Sequence, residues 1–489
     1  MQMGVPMRKE ILRMENVTKS YAGVIYLDNF NMQIYKGEIM GLIPINRQGK
    51  SELIELLCQN SPIDYGRIYI NNELVNSYEH STNSINRVYV INQKSKLIQD
   101  LTVSDNIFVL RRGFKKYIIN NKVLRVQVNK YLKEIGIYID PDELIANLNP
   151  FEQCCVELVK AVITGANLII ISDITNIISV VDLSKLYQLV NFYADKGYSF
   201  LFVGNHHEEM FTICHRVSLM KDGTIIKVLD EQDMKKDLIK FYTISFTDNK
   251  QNIDRYNGQG ILEFENICTS NLNKMSFSIK KGECVVLFDT NNTIYSDLLD
   301  LMNGELNPIC GRILYNNQVY SESAARKALE NGIAVISENS IQKMIFYNLN
   351  YVDNLCFLID KKIEKKIMKR KIKKSIIREY ENILGEEIHM NDLTDLEPAS
   401  LYNLVYYRLH LYNPNIVFCI QPFSGADMYL RKHISDLIYE LKKKGITIII
   451  IAVNISDTLS VADRLMIIEQ GAVLKEYSKD EFESIHVIA

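Results

Sequence analysis

Residues 41–51 read Gly41-Leu42-Ile43-Pro44-Ile45-Asn46-Arg47-Gln48-Gly49-Lys50-Ser51. A short apolar run, Ile39–Ile43, leads into them, and a helix-like stretch from about Lys50 to Gln59 follows. A loop between a buried strand and a helix N-terminus presents backbone N–H groups to an anion. In such a loop Lys50 reaches the outer phosphates of a nucleotide and the Ser51 hydroxyl ligates Mg2+. Asn46, Gly49, Lys50 and Ser51 are the candidate phosphate contacts, and a structural turn is the plainer alternative. Pro44 stands where the full pattern has its first glycine. Proline lacks an N–H and fixes φ, so one donor is missing and the loop is stiffer.

Working outward, the chain repeats itself. Gly37-Glu38 recurs as Gly282-Glu283, and Gly66-Arg67-Ile68 as Gly311-Arg312-Ile313, both offset by 245. Asn71-Asn72 returns as Asn316-Asn317, and Glu15-Asn16-Val17 as Glu265-Asn266-Ile267. His215-Arg216-Val217 is answered by Asp463-Arg464-Leu465. A period as long as a domain is a tandem duplication, not a solenoid. The halves are placed at 1–245 and 258–489, with 246–257 as linker. In each half, alternating apolar residues (Leu12, Met14, Val17; Met32, Ile34) suggest an antiparallel strand pair. Continuous apolar runs follow: Leu168–Ile171 and Phe200–Val203, then Ile416–Ile420 and Ile446–Ile451. Such runs suit a parallel sheet covered on both faces. Between them lie charged helical patterns, Arg111–Ile135 and Asp360–Leu384. The expected fold is α/β, twice.

Composition narrows the classes. With 489 residues, 47% apolar and 24% charged, two ordinary globular domains are expected rather than disorder. Lys plus Arg number 56 against 59 Asp plus Glu, net −3, which argues against a nucleic-acid partner. The start MQMGVPMRKE has no apolar core segment, and no apolar run approaches the ~20 residues of a membrane span. Nine cysteines without a CxxC pair read as reduced, buried thiols, so a soluble intracellular chain is expected.

On these residues the chain, from about Leu12 to Lys479, resembles the fused double ATP-binding subunit of ribose/galactose-type sugar importers, in the ATP-binding cassette (ABC) family. The resemblance implies two tandem P-loop NTPase domains, each with a mostly parallel central sheet, an antiparallel β subdomain and a helical subdomain. It places Tyr21, in Lys19-Ser20-Tyr21-Ala22-Gly23, where the family stacks adenine; a strand-end tyrosine is the alternative. It places Gln93, in Val90-Ile91-Asn92-Gln93, where the family has a glutamine that touches the metal and senses the membrane partner.

The same resemblance exposes losses. The family's Leu-Ser-Gly-Gly-Gln clamp aligns with Leu148-Asn149-Pro150-Phe151-Glu152, which puts a carboxylate near the expected phosphate. The strand-end acidic pair aligns with Ser172-Asp173. Asp173 is then a shortened stand-in for the catalytic Glu or, with a one-residue slip, the Mg2+ carboxylate. Metal candidates are thus Ser51, Gln93 and Asp173. The switch histidine is replaced by Asn205, which carries no proton, and His206-His207 beside it reads as a solvated polar pair, with a displaced catalytic pair as the alternative. In the second half the loop becomes Asp289-Thr290-Asn291-Asn292-Thr293-Ile294-Tyr295-Ser296, without Lys or Gly, and Asp289 is expected to repel phosphate. Its clamp becomes Leu396-Glu397-Pro398-Ala399-Ser400 and its acids Ile420-Gln421.

A general base contributes about 10²–10⁴-fold in rate, so joint loss of acid, switch and clamp leaves little turnover. The expectation is an ATP-binding subunit of a sugar importer at the cytoplasmic membrane face. It would bind ATP and Mg2+ mainly in the first domain, beside permease subunits and, indirectly, an external sugar-binding protein. The alternative is a pseudo-ATPase acting as a structural or regulatory partner of a permease. Translation-associated double cassettes carry a long charged linker and intact clamps, and neither is present. The basic run Lys361–Lys374 reads as a solvated helix face, with anionic lipid or membrane-subunit contact as the alternative. Cys154-Cys155 reads as buried thiols.

Overall fold

The computed structural model describes residues 9–46, 48–80, 85–108, 121–205, 207–234, 260–359, 370–453, 455 and 458–484. Arg47, His206, the linker 246–257 and residues 361–369 of the basic run lie outside them. The chain divides into two compact units, residues 1–245 and 246–488.

The first unit has an antiparallel sheet in the order β2-β1-β4-β5, from β1 (Glu10–Tyr21), β2 (Val24–Tyr35), β4 (Tyr65–Ile70) and β5 (Glu73–Ser77). Leu12 faces Ile34 and Met14 faces Met32, so the alternating residues of the sequence line one buried side. Its second sheet has the order β10-β9-β3-β8-β7-β6. Here β3 (Ile39–Pro44), β6 (Val88–Asn92), β7 (Leu168–Ser172), β8 (Ser199–Val203) and β9 (Arg216–Lys221) are parallel. Strand β10 (Thr224–Asp230) closes the edge antiparallel. Strands β3, β7 and β8 are buried at every position, which is why they lack alternation. Helices Lys50–Cys58, Val103–Phe108, Asn121–Glu134, Pro150–Ile163 and Val180–Asp195 connect or cover them.

The second unit repeats this pattern. Its antiparallel sheet runs β12-β11-β14-β15 and its mixed sheet β16-β17-β18-β13-β19-β20. The strands are β11 (Gly260–Cys268), β12 (Met275–Lys280), β13 (Cys284–Asp289), β14 (Cys310–Tyr315), β15 (Gln318–Val319), β16 (Ile333–Ile336), β17 (Ile416–Ile420), β18 (Thr447–Ala452), β19 (Arg464–Glu469) and β20 (Ala472–Ser478). Strand β13 lies between β18 and β19, as β3 lies between β8 and β9. The architecture is α/β, with two tandem units of one topology.

The repeated sequence fragments prove to be places where the backbone leaves no choice. Gly66 (φ 96°) packs so closely on β1 that a Cβ would lie 2.5 Å from the Glu15 carbonyl oxygen. Gly311 repeats this against Glu265 at 2.3 Å. Asn71-Asn72 and Asn316-Asn317 all take left-handed φ of 50–66°, the conformation a type I′ hairpin turn needs. Glu38 and Arg216 form a two-pronged ion pair, Nε to Oε1 2.6 Å and Nη2 to Oε2 3.1 Å, joining the start of β3 to the start of β9. Glu283 and Arg464 do the same at 2.9 and 3.1 Å.

One cysteine expectation is corrected. Antiparallel pairing of β11 with β14 sets Cys268 opposite Cys310, and these two are disulfide-bonded. The other seven thiols are free; six are buried and Cys58 is half-buried. Among them Cys154 and Cys155 sit in the first unit's core, where burial pushes the Cys154 thiol up to about 12. Among the described residues no helix is long and apolar enough to cross a membrane.

Candidate functional site

In the first unit the site is built at the C-terminal ends of β6, β7, β8 and β3, where open α/β sheets place ligands. Strand β3 ends at Pro44, and the next residue, Ile45, donates its N–H to the Met220 carbonyl at 2.8 Å. The ladder thus continues past the missing proline donor. Gly49 takes φ 81° and caps helix Lys50–Cys58 without a side chain. A Cβ there would stand 2.3 Å from the Tyr26 carbonyl oxygen and 2.7 Å from Met220 Cε, so only glycine fits. Gln48 Nε2 donates to the Ile25 carbonyl at 2.8 Å. The loop is therefore fastened to the strand following the hairpin that bears Tyr21. Tyr21 ends β1, across from Val24, with its side chain 75% exposed.

The structure brings Lys50 and Asp173 together: Nζ donates to Oδ2 at 2.5 Å, with both side chains mostly covered. Ser172 Oγ donates to the same oxygen at 2.9 Å. Asp173 follows β7 in a left-handed conformation (φ 56°), fixed by its N–H donating to the Val203 carbonyl at 3.0 Å. Asn92 pairs with Ser172 across β6 and β7, so Gln93, half-buried, and Asp173 each follow the C-terminal end of one of these neighbouring strands. Asn205 lies two residues beyond β8, half-buried at the same edge. Asn46 turns elsewhere. Its Nδ2 donates to Asp222 Oδ1 at 2.7 Å and its Oδ1 accepts the Asp222 N–H at 3.1 Å, leaving only backbone for a ligand. Ser51 is exposed. Among the described residues no three His, Cys, Asp or Glu side chains cluster as for a metal. Ser51, Gln93 and Asp173 each carry an oxygen donor of the kind Mg2+ takes.

The clamp segment has closed on itself. Asn149 Oδ1 accepts the Glu152 N–H and Glu152 Oε2 accepts the Asn149 N–H, each at 2.9 Å. This capping box satisfies the first turn of helix Pro150–Ile163 with its own side chains. In the second unit helix Pro398–Tyr412 starts at Glu397 without a side-chain cap, and Ser400 Oγ donates to Glu387 Oε1 at 2.5 Å.

Two features escaped the sequence reading. Glu157, 1% exposed, accepts Ser95 Oγ at 2.6 Å and the Lys96 N–H at 2.9 Å, tying the segment after Gln93 to the clamp helix. Burial raises its pKa, and those two hydrogen bonds only partly offset this. A glutamate inside the apolar run Val156–Val159 was the available signal. The other is how Asp289, expected to repel phosphate, is held. It is 2% exposed and its carboxylate is folded into its own loop. Elsewhere in that unit Gln421, left-handed like Asp173 (φ 43°), reaches Asn292 Oδ1 at 3.4 Å. Ile420 ends β17 with no metal ligand.

Residues 27–176 match the family model for the ABC transporter domain. The chain is 28% identical over 490 residues to the ribose import ATP-binding protein RbsA of Clostridium perfringens, covering 97% of this chain and 96% of that one. It is 25% identical over 484 residues to the galactose/methyl galactoside import ATP-binding protein MglA of the same species, covering 95% and 92%. To the arabinose import ATP-binding protein AraG of Rhizobium meliloti it is 24% identical over 501 residues, covering 98% and 96%. Part of the first unit thus matches the ABC transporter domain, and over nearly its full length the chain resembles the ATP-binding subunits of ABC-type sugar importers.

Proposed function

We propose that the chain is the ATP-binding subunit of an ABC-type sugar import system, gripping ATP mainly with its first cassette and hydrolysing it weakly or not at all. One observation carries this reading: Lys50 and Asp173 meet beside an uncapped, glycine-started helix in the first unit, whereas the second loop has no lysine. In this reading Tyr21 stacks on the adenine, the loop from Asn46 to Ser51 holds the phosphates through its backbone, and Lys50 moves from Asp173 onto them. Ser51, Gln93 and Asp173 hold Mg2+, which neutralises phosphate charge. Asn205 keeps a polar contact at the strand edge but carries no proton, and Asp173, one methylene shorter than glutamate, supports turnover poorly. The cassettes dock on membrane permease subunits at the cytoplasmic face, served by an external sugar-binding protein; the end-to-end likeness to import subunits supports this.

A second reading, a pseudo-ATPase that props or regulates a permease, is favoured by the same ion pair seen differently. Lys50 is already satisfied, and the clamp is satisfied by Glu152. Equilibrium titration with Mg-ATP separates the two. A charged hydrogen bond is worth about 1.5–3 kcal/mol, so Lys50→Ala should weaken binding by about 10- to 100-fold. No binding by the unaltered chain, or affinity indifferent to Lys50, removes the ATP-driven reading.

A further inference from the structure

Strand β13 is buried at all six positions, including its last residue, Asp289. A buried carboxylate is costly unless hydrogen bonds replace its water. Asp289 receives three from its own loop: Oδ1 accepts the Asn291 N–H at 3.1 Å, and Oδ2 accepts those of Thr293 at 2.5 Å and Ile294 at 2.8 Å. Asn292 between them is left-handed (φ 54°), which folds successive N–H groups around one centre as in an anion-binding nest. Ile294 begins the ten-residue helix Ile294–Asn303, so the loop stands where a nucleotide loop stands and offers the donors a phosphate would take. Pro44 occupies the equivalent end of β3 in the first unit and has no such acceptor. A second carboxylate on the same helix, Asp297, accepts from Thr269 Oγ1 at 2.5 Å, Ser270 Oγ at 3.2 Å and Asn271 Nδ2 at 2.9 Å. The turn between β11 and β12, counterpart of the Tyr21 hairpin, is thereby fastened to this helix.

We infer that Asp289 is a built-in anion: its carboxylate fills the phosphate cradle of the second cassette, holding it folded without ligand and closing it to triphosphates. Beneath the side chain lies a latent anion site. The inference deepens the proposed function by limiting the chain to one nucleotide, and it rests on that reading only for this count.

The test uses the full chain carrying Lys50→Ala, without nucleotide, so that failure of the first cassette to bind ATP does not touch the result. Adding Asp289→Ala strips the acceptor from three N–H groups, that of Ile294 buried, and should lower the unfolding midpoint by about 5 °C in phosphate-free buffer. Inorganic phosphate should then recover about half of that loss and leave the Lys50→Ala parent unmoved. Asp289→Asn, which keeps one acceptor oxygen, should fall less and gain nothing from phosphate. An unchanged midpoint in Asp289→Ala, or equal phosphate effects in variant and parent, overturns the inference. If Asp289→Ala fails to fold, Asp289→Asn decides: a midpoint equal to the parent's overturns it.

Discussion

In the proposed reading Lys50 and Asp173 hold each other where a triphosphate and its metal would be held, so each ligand would compete with an internal contact. Replacing Asp173 by Asn removes a charge that both opposes phosphate and occupies Lys50. Both side chains are mostly covered, so losing this charged hydrogen bond should lower stability by about 1.5–3 kcal/mol. ATP without metal should bind several-fold more tightly to Asp173→Asn, and Mg2+ should no longer improve its affinity. Titrations with and without chelator check this; an undiminished Mg2+ dependence contradicts the metal role of Asp173. At this scale the turn at Gly49-Lys50-Ser51 was legible as the link from a buried strand to a helix N-terminus. Asp289 was not, since a string of letters gives its charge but not the fold-back that satisfies it. Asn46 was half-legible: it lies in the loop, but its side chain is engaged by Asp222 from a hairpin distant in sequence.

The duplicated fragments are legible as repeats in sequence and intelligible only as structure. Gly-Glu and Arg-Val or Arg-Leu lie far apart in each half, yet they meet as the Glu38–Arg216 and Glu283–Arg464 pairs that lock the central strand to its neighbour. Glu38 and Glu283 are buried. Removing the arginine leaves a buried carboxylate without its counter-charge, so Arg216→Ala should destabilise the first unit by about 3–5 kcal/mol and Arg464→Ala the second by a similar amount. Denaturant titration of each variant reads this, and losses below about 1 kcal/mol would refute it. Strand assignments from apolar runs hold to within a residue: Leu168–Ile171 becomes Leu168–Ser172 and Phe200–Val203 becomes Ser199–Val203. Two-sided burial erases alternation but leaves an unbroken apolar run. The disulfide of Cys268 and Cys310 was invisible because only strand register sets them opposite.

Across the whole molecule the two units share a topology and differ in what fills their loops, and the second carries two histidines that make its stability depend on pH. His410 and His433, both in the second unit, have pKa values lowered from 6.5, chiefly by burial. Lys444 lowers His410 further while Glu440 opposes, and a hydrogen bond to the Ala399 backbone, with Asp436 and Glu387, opposes the shift at His433. A histidine depressed in the folded state takes up its proton first when unfolded. Above pH 6.5 these two cost nothing, and stability falls as pH drops from 6.5 toward their folded values. The limit is about 1.4 kcal/mol per pH unit for each. Thermal melts between pH 7.5 and 5.5 should show the decline, and His410→Gln with His433→Gln should flatten it; an unchanged slope contradicts the assignment. The central claim, that one triphosphate is gripped by the first cassette through Lys50 and none by the second, is tested most directly by calorimetric titration of the full chain with Mg-ATP. One ATP per chain, weakened at least about tenfold by Lys50→Ala, is the predicted result, and two ATP per chain, or binding that ignores Lys50, would contradict it.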